Sequence, residues 1–196
     1  MGGTPGVPPV PTPSAQKPGP QAGPTPGPDA AGSPADPSVP LRGKDAVFAA
    51  FAENSAVKAL AELATDAKFD CDELTITVAK ENIVAACEAV KAAGYNFFED
   101  VTAVDWYPQE PRFQLSYHIL SHSLKQRVRL VVQLDSVELS VPSITSAWPS
   151  ANFYEREVFD LFGIHISGHP RLTRIMMPEN WVGHPLRKDY PVEGYR

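Results

Sequence analysis

The spacing of apolar side chains switches repeatedly between helical and strand periods along this chain. Residues 44–64 carry Val47, Phe48, Phe51, Val57, Leu60 and Leu63 at helical spacings among alanines, which favour helix. Asn54-Ser55 is placed to split that stretch into two helices. From Asp72 the period falls to two: Leu74, Ile76 and Val78 alternate with Thr75 and Thr77, as in a strand with one buried face. Residues 81–93 return to helical spacing through Ile83, Cys87 and Val90, and Gly94 provides a left-handed terminator. Residues 96–107 are aromatic and β-branched and stop at Pro108, which predicts another strand.

A hairpin follows. Phe113, Leu115, Tyr117 and Ile119 share one strand face, Val128, Leu130, Val132 and Leu134 share the next, and residues 122–125 supply the turn. The opposite faces carry Gln114, Ser116, His118, Arg127, Arg129 and Gln133, so one side of the sheet is wet or meets a partner. These elements predict an α+β fold. Its expected form is a two-layer domain with a mostly antiparallel sheet of about four strands packed by helices, followed by an extended irregular carboxyl-terminal tail.

A last helix is expected from Asn152, which with Glu155 forms a capping-box pattern, to the terminator Gly163. Tyr154, Val158, Leu161 and Phe162 form its core stripe, while Glu155, Arg156 and Asp160 project elsewhere. Phe153 and Phe159 lie outside the stripe, packed at the domain edge or against another subunit. Beyond it, Pro170, Pro178, Pro185 and Pro191 exclude a regular helix or central strand. Residues 164–196 nevertheless hold Ile164, Ile166, Leu172, Ile175, Met176, Met177, Trp181, Leu186, Tyr190 and Tyr195. Apolar groups without a period need a surface supplied by something else. The tail is therefore expected to dock on a partner, and a cut after Gly163 to leave the domain folded while abolishing assembly. Gly168-His169-Pro170 and Gly183-His184-Pro185 echo each other within it, too few copies for a repeat architecture.

Composition sets off the other end. Residues 1–40 contain 13 of the 21 prolines, no aromatic residue, and only Lys17, Asp29 and Asp36 as charges. That segment is expected to be a disordered tether rather than a processed targeting peptide, because it lacks both an apolar run and an Arg-rich stretch. The expected divisions are thus 1–40, 41–163 and 164–196. Net charge is −6, without the basic patch of a nucleic-acid binder. No run approaches the ~18 apolar residues of a membrane span, so membrane association would be indirect. Cys71 and Cys87 do not form a Cys-x-x-Cys pair, and Cys87 reads as a core thiol.

Residues Glu155-Arg156-Glu157-Val158-Phe159-Asp160-Leu161-Phe162-Gly163-Ile164, then Gly168-His169-Pro170, then Trp181-Val182-Gly183-His184-Pro185-Leu186-Arg187-Lys188-Asp189-Tyr190-Pro191 resemble the 30 kDa subunit family of complex I, the proton-pumping NADH:quinone oxidoreductase. The strong motifs cover about the last 45 residues, a run far more specific than a single glycine loop. Thr173 departs from the basic residue common at that place, and many relatives continue beyond the position of Arg196. The resemblance implies a peripheral-arm subunit with no catalytic residue and no cofactor or metal of its own. FMN and Fe–S clusters would belong to partner subunits. It implies a hetero-oligomeric complex, chiefly with the 49 kDa-type subunit and neighbouring Fe–S subunits, at the cytoplasmic face of a bacterial membrane.

The expected interface comprises Phe153, Glu155, Arg156, Phe159, Asp160, Gly168, His169, Pro170, Arg174, Trp181, Gly183, His184, Pro185, Arg187, Lys188, Asp189 and Tyr190. His165, His169 and His184 do not have metal-site spacing, since Gly168 and Pro170 interrupt any helix. Glu155 and Asp160 diverge on a helix and read as solvated or interfacial charge. Competing readings are a related membrane-bound hydrogenase or another quinone-linked dehydrogenase, a free-standing adaptor, and a hydrolase using the histidines.

Overall fold

The computed structural model describes residues 40–194. The expected tether, apart from Pro40, and Tyr195 lie outside the described residues. In chain order the elements are β1 (Leu41–Arg42), α1 (Lys44–Ala50), α2 (Ser55–Ala59), β2 (Ala64–Asp70), β3 (Glu73–Val78), α3 (Ile83–Ala92), β4 (Phe97–Asp105), β5 (Phe113–Ser121), β6 (Gln126–Leu134), β7 (Ser140–Pro142), α4 (Ala151–Phe162) and β8 (His165–Ser167).

The main sheet has six strands in the order β1-β2-β3-β6-β5-β4, and β7 pairs with β8 in a second small sheet. The expectation of about four strands is therefore corrected. The sheet is also mixed, because β3 and β6 are parallel. After β3 the chain crosses through α3 to the far edge at β4 and returns by antiparallel steps through β5 to β6. β2 escaped the period test for a local reason. A register shift between Ala64 and Asp66 puts the buried positions at Ala64, Ala67 and Phe69, which has no constant period of two.

One sheet face and the helices share a single core. Ile76, Leu115, Tyr117, Ile119, Val128 and Leu130 meet Val57, Leu60, Ile83, Cys87, Val158 and Phe162 there. The core face read from β5 and β6 is the one observed, but Ser116 and Val131 on the opposite face are also buried. The opposite face is charged and internally paired. Arg129 bonds Glu73, and its Nε donates to His118 Nε2 at 3.0 Å, while His118 Nδ1 meets Asp100 at 2.6 Å.

The expected break at Asn54-Ser55 is present. Asn54 caps α2, its Oδ1 accepting from Ala56 N at 2.9 Å and Val57 N at 3.3 Å. Asn54→Ala should lower stability by about 1 kcal/mol, the usual worth of such a cap. Chemical denaturation checks this; an unchanged midpoint would show that the cap contributes nothing.

Candidate functional site

Helix α4 organises the carboxyl-terminal third of the chain. It follows Ser150 with no side-chain cap, so the capping box expected at Asn152 and Glu155 does not form. Glu155 turns inward instead. Ser143 Oγ donates to its Oε2 at 2.7 Å and Ile144 N to its Oε1 at 2.7 Å, which ties the segment before the helix to its second turn. Burial holds the Glu155 carboxyl above its ordinary pKa, against the pull of those two donors.

The tail then runs along α4 from its first turn to its last. His169 Nε2 donates to Asn152 O at 3.2 Å, and His169 Nδ1 accepts from Arg171 N at 3.0 Å. Arg156 donates to Thr173 O at 3.1 Å and Arg174 O at 3.2 Å. Asp160, fully buried, accepts from three consecutive backbone amides: Ile175 at 2.9 Å, Met176 at 2.8 Å and Met177 at 2.8 Å. Arg174 Nη1 closes the same carboxylate at 2.6 Å, and its Nη2 reaches Gly183 O at 3.2 Å. Burial alone would raise the Asp160 pKa; the three amides and Arg174 outweigh it and bring it below the ordinary value.

At the carboxyl end of α4 the tail turns back and supplies what every helix end lacks. The last four carbonyls of a helix have no partner within it. Here Phe159 O takes Gly163 N at 2.9 Å, Asp160 O takes His184 Nδ1 at 2.9 Å, Leu161 O takes Leu186 N at 3.1 Å, and Phe162 O takes Arg187 Nε at 2.5 Å. Three of the four donors come from the tail. The charges of Arg174 and Arg187 also meet the negative end of the helix dipole. Gly163 lies at φ +72°, and the space a Cβ would occupy is taken by His184 and Arg187.

A second anchor lies where β4 ends and β5 begins. Arg112 grips Asp105 with two bonds, Nε to Oδ1 at 2.8 Å and Nη2 to Oδ2 at 2.7 Å. The tail joins this pair through Lys188 N, which donates to Asp105 Oδ2 at 2.8 Å, and through Asp189, 2.9 Å from Arg112. The Arg112 bond, against the cost of burial, holds Asp105 down from 3.8 to about 2. Asp189 is lowered chiefly by the same guanidinium.

These shifts fix the sign of a pH response. Asp105, Asp160 and Asp189 have depressed folded pKa values, so their stabilisation is complete above the ordinary carboxylate range and is lost as pH falls through the folded values. Glu155 has the opposite sign, contributing most below its ordinary value. The tail should therefore loosen between about pH 4 and pH 2, with protease sensitivity near Arg174 rising across that window. Constant sensitivity from pH 7 to pH 2 would contradict this balance.

Two expectations are corrected by this geometry. Glu155 and Asp160 are not solvated charges; both are buried and bonded within their own chain. Nor is a cut after Gly163 now expected to spare the domain. It would remove Ile164 and Ile166 from the core, take away β8, and strip three donors from α4. Arg156, His169, Arg174, His184, Arg187 and Asp189 likewise direct polar atoms inward to the chain. Phe159 packs partly on the core, Phe153 is exposed, and the Gly168 and Pro170 that flank His169 are exposed. Pro185 and Tyr190 are half-buried, and the Lys188 side chain stays outside. Met176, Val182 and Leu186 are half or more exposed, at 62%, 65% and 50%, while Ile175 and Trp181 keep 38% and 39% of their surface open and cover the rest within the chain. His165 is exposed, so the three histidines do not converge. Among the described residues no group of three or more His, Cys, Asp or Glu is set to hold a metal ion, and no helix is long and apolar enough to cross a membrane.

Comparison with known proteins gives this arrangement a family. The family described as respiratory-chain NADH dehydrogenase, 30 Kd subunit, matches residues 76–196. The chain belongs to this family. An NADH-quinone oxidoreductase subunit of Citrifermentans bemidjiense is 46% identical over 146 residues, which cover 72% of this chain and 91% of that protein. The subunit of the same name from Roseiflexus sp. strain RS-1 is 46% identical over 123 residues, covering 61% and 71% of the two chains. Among solved structures, a chain of the membrane-bound sulfane sulfur reductase, an archaeal respiratory membrane complex, superposes with a TM-score of 0.58 at 25% identity over 72% of this chain and 86% of its own.

For this member of the 30 Kd subunit family, the sequence picked out the tail residues but not their receptors. Asp105, Arg112, Ser143 and the α4 carbonyls carry no motif. Asp105 alone had a signal: it continues the inward parity of Val101 and Ala103 on β4, so a carboxylate at that place had to be buried and paired.

Proposed function

We propose that this chain is a non-catalytic peripheral-arm subunit of a proton-translocating NADH:quinone oxidoreductase, supporting assembly and rigidity next to the 49 kDa-type subunit. The whole complex would carry electrons from NADH through FMN and Fe–S clusters in partner subunits to quinone, coupled to proton pumping. The observation that carries this reading is the outward apolar row Ile175, Met176, Trp181, Val182 and Leu186 on a tail whose signature belongs to the family. Burying such side chains against a neighbour is worth about 1.5–3 kcal/mol each before ordering costs. Membrane association is indirect, through the complex, at the cytoplasmic face of a bacterial cell. The likeness to a chain of the archaeal sulfane sulfur reductase supports a second reading, the equivalent subunit of a related membrane-bound complex.

Affinity purification of the tagged chain from solubilised membranes separates the two. Recovery of flavin- and cluster-bearing NADH-oxidising subunits is expected. Recovery of a hydrogenase or sulfur-reducing assembly would favour the second reading, and a free monomer would defeat both. Trp181→Ala should reduce the recovered complex several-fold, consistent with loss of a large interfacial side chain; undiminished recovery would remove Trp181 from the contact.

A further inference from the structure

We propose that the tail closes on its own domain before any partner binds, so that the polar residues of the family signature act in cis as clips and the apolar row is presented preformed. This deepens the function proposed above and rests on it only for what the row meets. The two Gly-His-Pro echoes supply the first support. Each glycine has positive φ, 75° at Gly168 and 85° at Gly183. Each following histidine donates to a carbonyl of α4, Asn152 O for His169 and Asp160 O for His184. Those carbonyls lie about 12 Å apart at the rise of an α-helix, so the motif fastens the tail at both ends of one rod. The glycine accommodates the left-handed backbone that sets up each turn, and the proline directs the chain away from the clip.

The second support is polar accounting. Asp160 accepts three amides and a guanidinium, which fills the capacity of a carboxylate. His169 uses both ring nitrogens, and the last four α4 carbonyls are all engaged. A tail that ordered only on a partner would hold such groups ready for that partner. Here they are consumed within the chain, while Met176, Val182 and Leu186 stay half or more exposed among the outward Arg171, Glu179, Asn180 and Lys188. Signature side chains satisfied within the chain, with large apolar groups still uncovered beside them, are the pattern of a segment whose inner contacts are already in place.

The test is hydrogen exchange on the full-length chain purified alone, followed at the amides of Ile175, Met176, Met177 and Leu186. The reference is a synthetic peptide of residues 164–196. Exchange at least about 100-fold slower than in the peptide is expected, as for a locally cooperative unit. Asp160→Asn should bring the amides of 175–177 to within about 10-fold of the peptide while β5 and β6 stay protected. If Asp160→Asn does not fold, Arg174→Met is read in the same way. Peptide-like exchange in the free chain, with protection appearing only in the purified complex, overturns the proposal and leaves the docking reading intact. A protected tail on a chain that never enters a respiratory assembly does the reverse.

Discussion

Arg112→Ala is expected to destabilise the domain by about 3–5 kcal/mol, the usual cost of removing one partner of a buried ion pair. Its partner Asp105 has a fully enclosed side chain, and Arg112 itself is only 11% exposed. The alanine variant leaves that carboxylate with Tyr107 N at 3.0 Å and Lys188 N at 2.8 Å, but with no cation. It also removes the guanidinium that lies over the Tyr107 and Phe113 rings, at 5.0 and 4.8 Å from their centroids, and the partner of Asp189. For a domain whose whole stability is on the order of 5–15 kcal/mol, the loss should show as a large drop in the urea midpoint. The double variant Asp105→Asn with Arg112→Met should lose less than the sum of the single losses, because no buried charge remains unpaired. A loss below about 1 kcal/mol for Arg112→Ala would mean that water replaces the pair freely.

That pair also shows where sequence reasoning reached and where it stopped. The core faces of β5 and β6, the stripe of α3, the break at Asn54 and the terminators Gly94 and Gly163 were all legible, because each follows from a period, a capping side chain or a glycine conformation. The strand β2 was hidden by its register shift, and the parallel pairing of β3 with β6 depends on a crossover that no local pattern encodes. In the tail the residues were visible but their direction was not. A chain without periodicity has no predictable inside. The apolar groups of the tail drew attention to an outer surface, while the polar groups beside them were already engaged by α4. Ile164 and Ile166 went the other way, into the core, because β8 pairs with β7 immediately after the helix ends.

Gly163→Val should detach the tail while leaving the six-stranded sheet in place. The residue terminates α4 at φ +72°, where a side chain costs about 1–2 kcal/mol and a β-branched one more. A Cβ at that position would stand 2.5 Å from His184 Cδ2 and Nε2 and 2.6 Å from an Arg187 nitrogen, well inside any tolerated contact. Relieving that overlap adds about 1–3 kcal/mol if the neighbours hold their places. They need not hold them, because both belong to the tail and not to the main core. The cheaper response is to release His184 and Arg187, which frees the carbonyls of Asp160 and Phe162 and opens the far end of the strap. The expected result is a chain with near-native β-sheet circular dichroism, rapid tryptic cleavage at Arg187, and loss of complex recovery. Gly163→Asn separates the two causes. Asparagine tolerates left-handed backbone but still carries the Cβ, so it should behave like Gly163→Val if the close approach dominates. An asparagine variant that keeps a protease-resistant tail would show that backbone strain alone was responsible. A valine variant that keeps one would show that the tail does not close over Gly163 in solution.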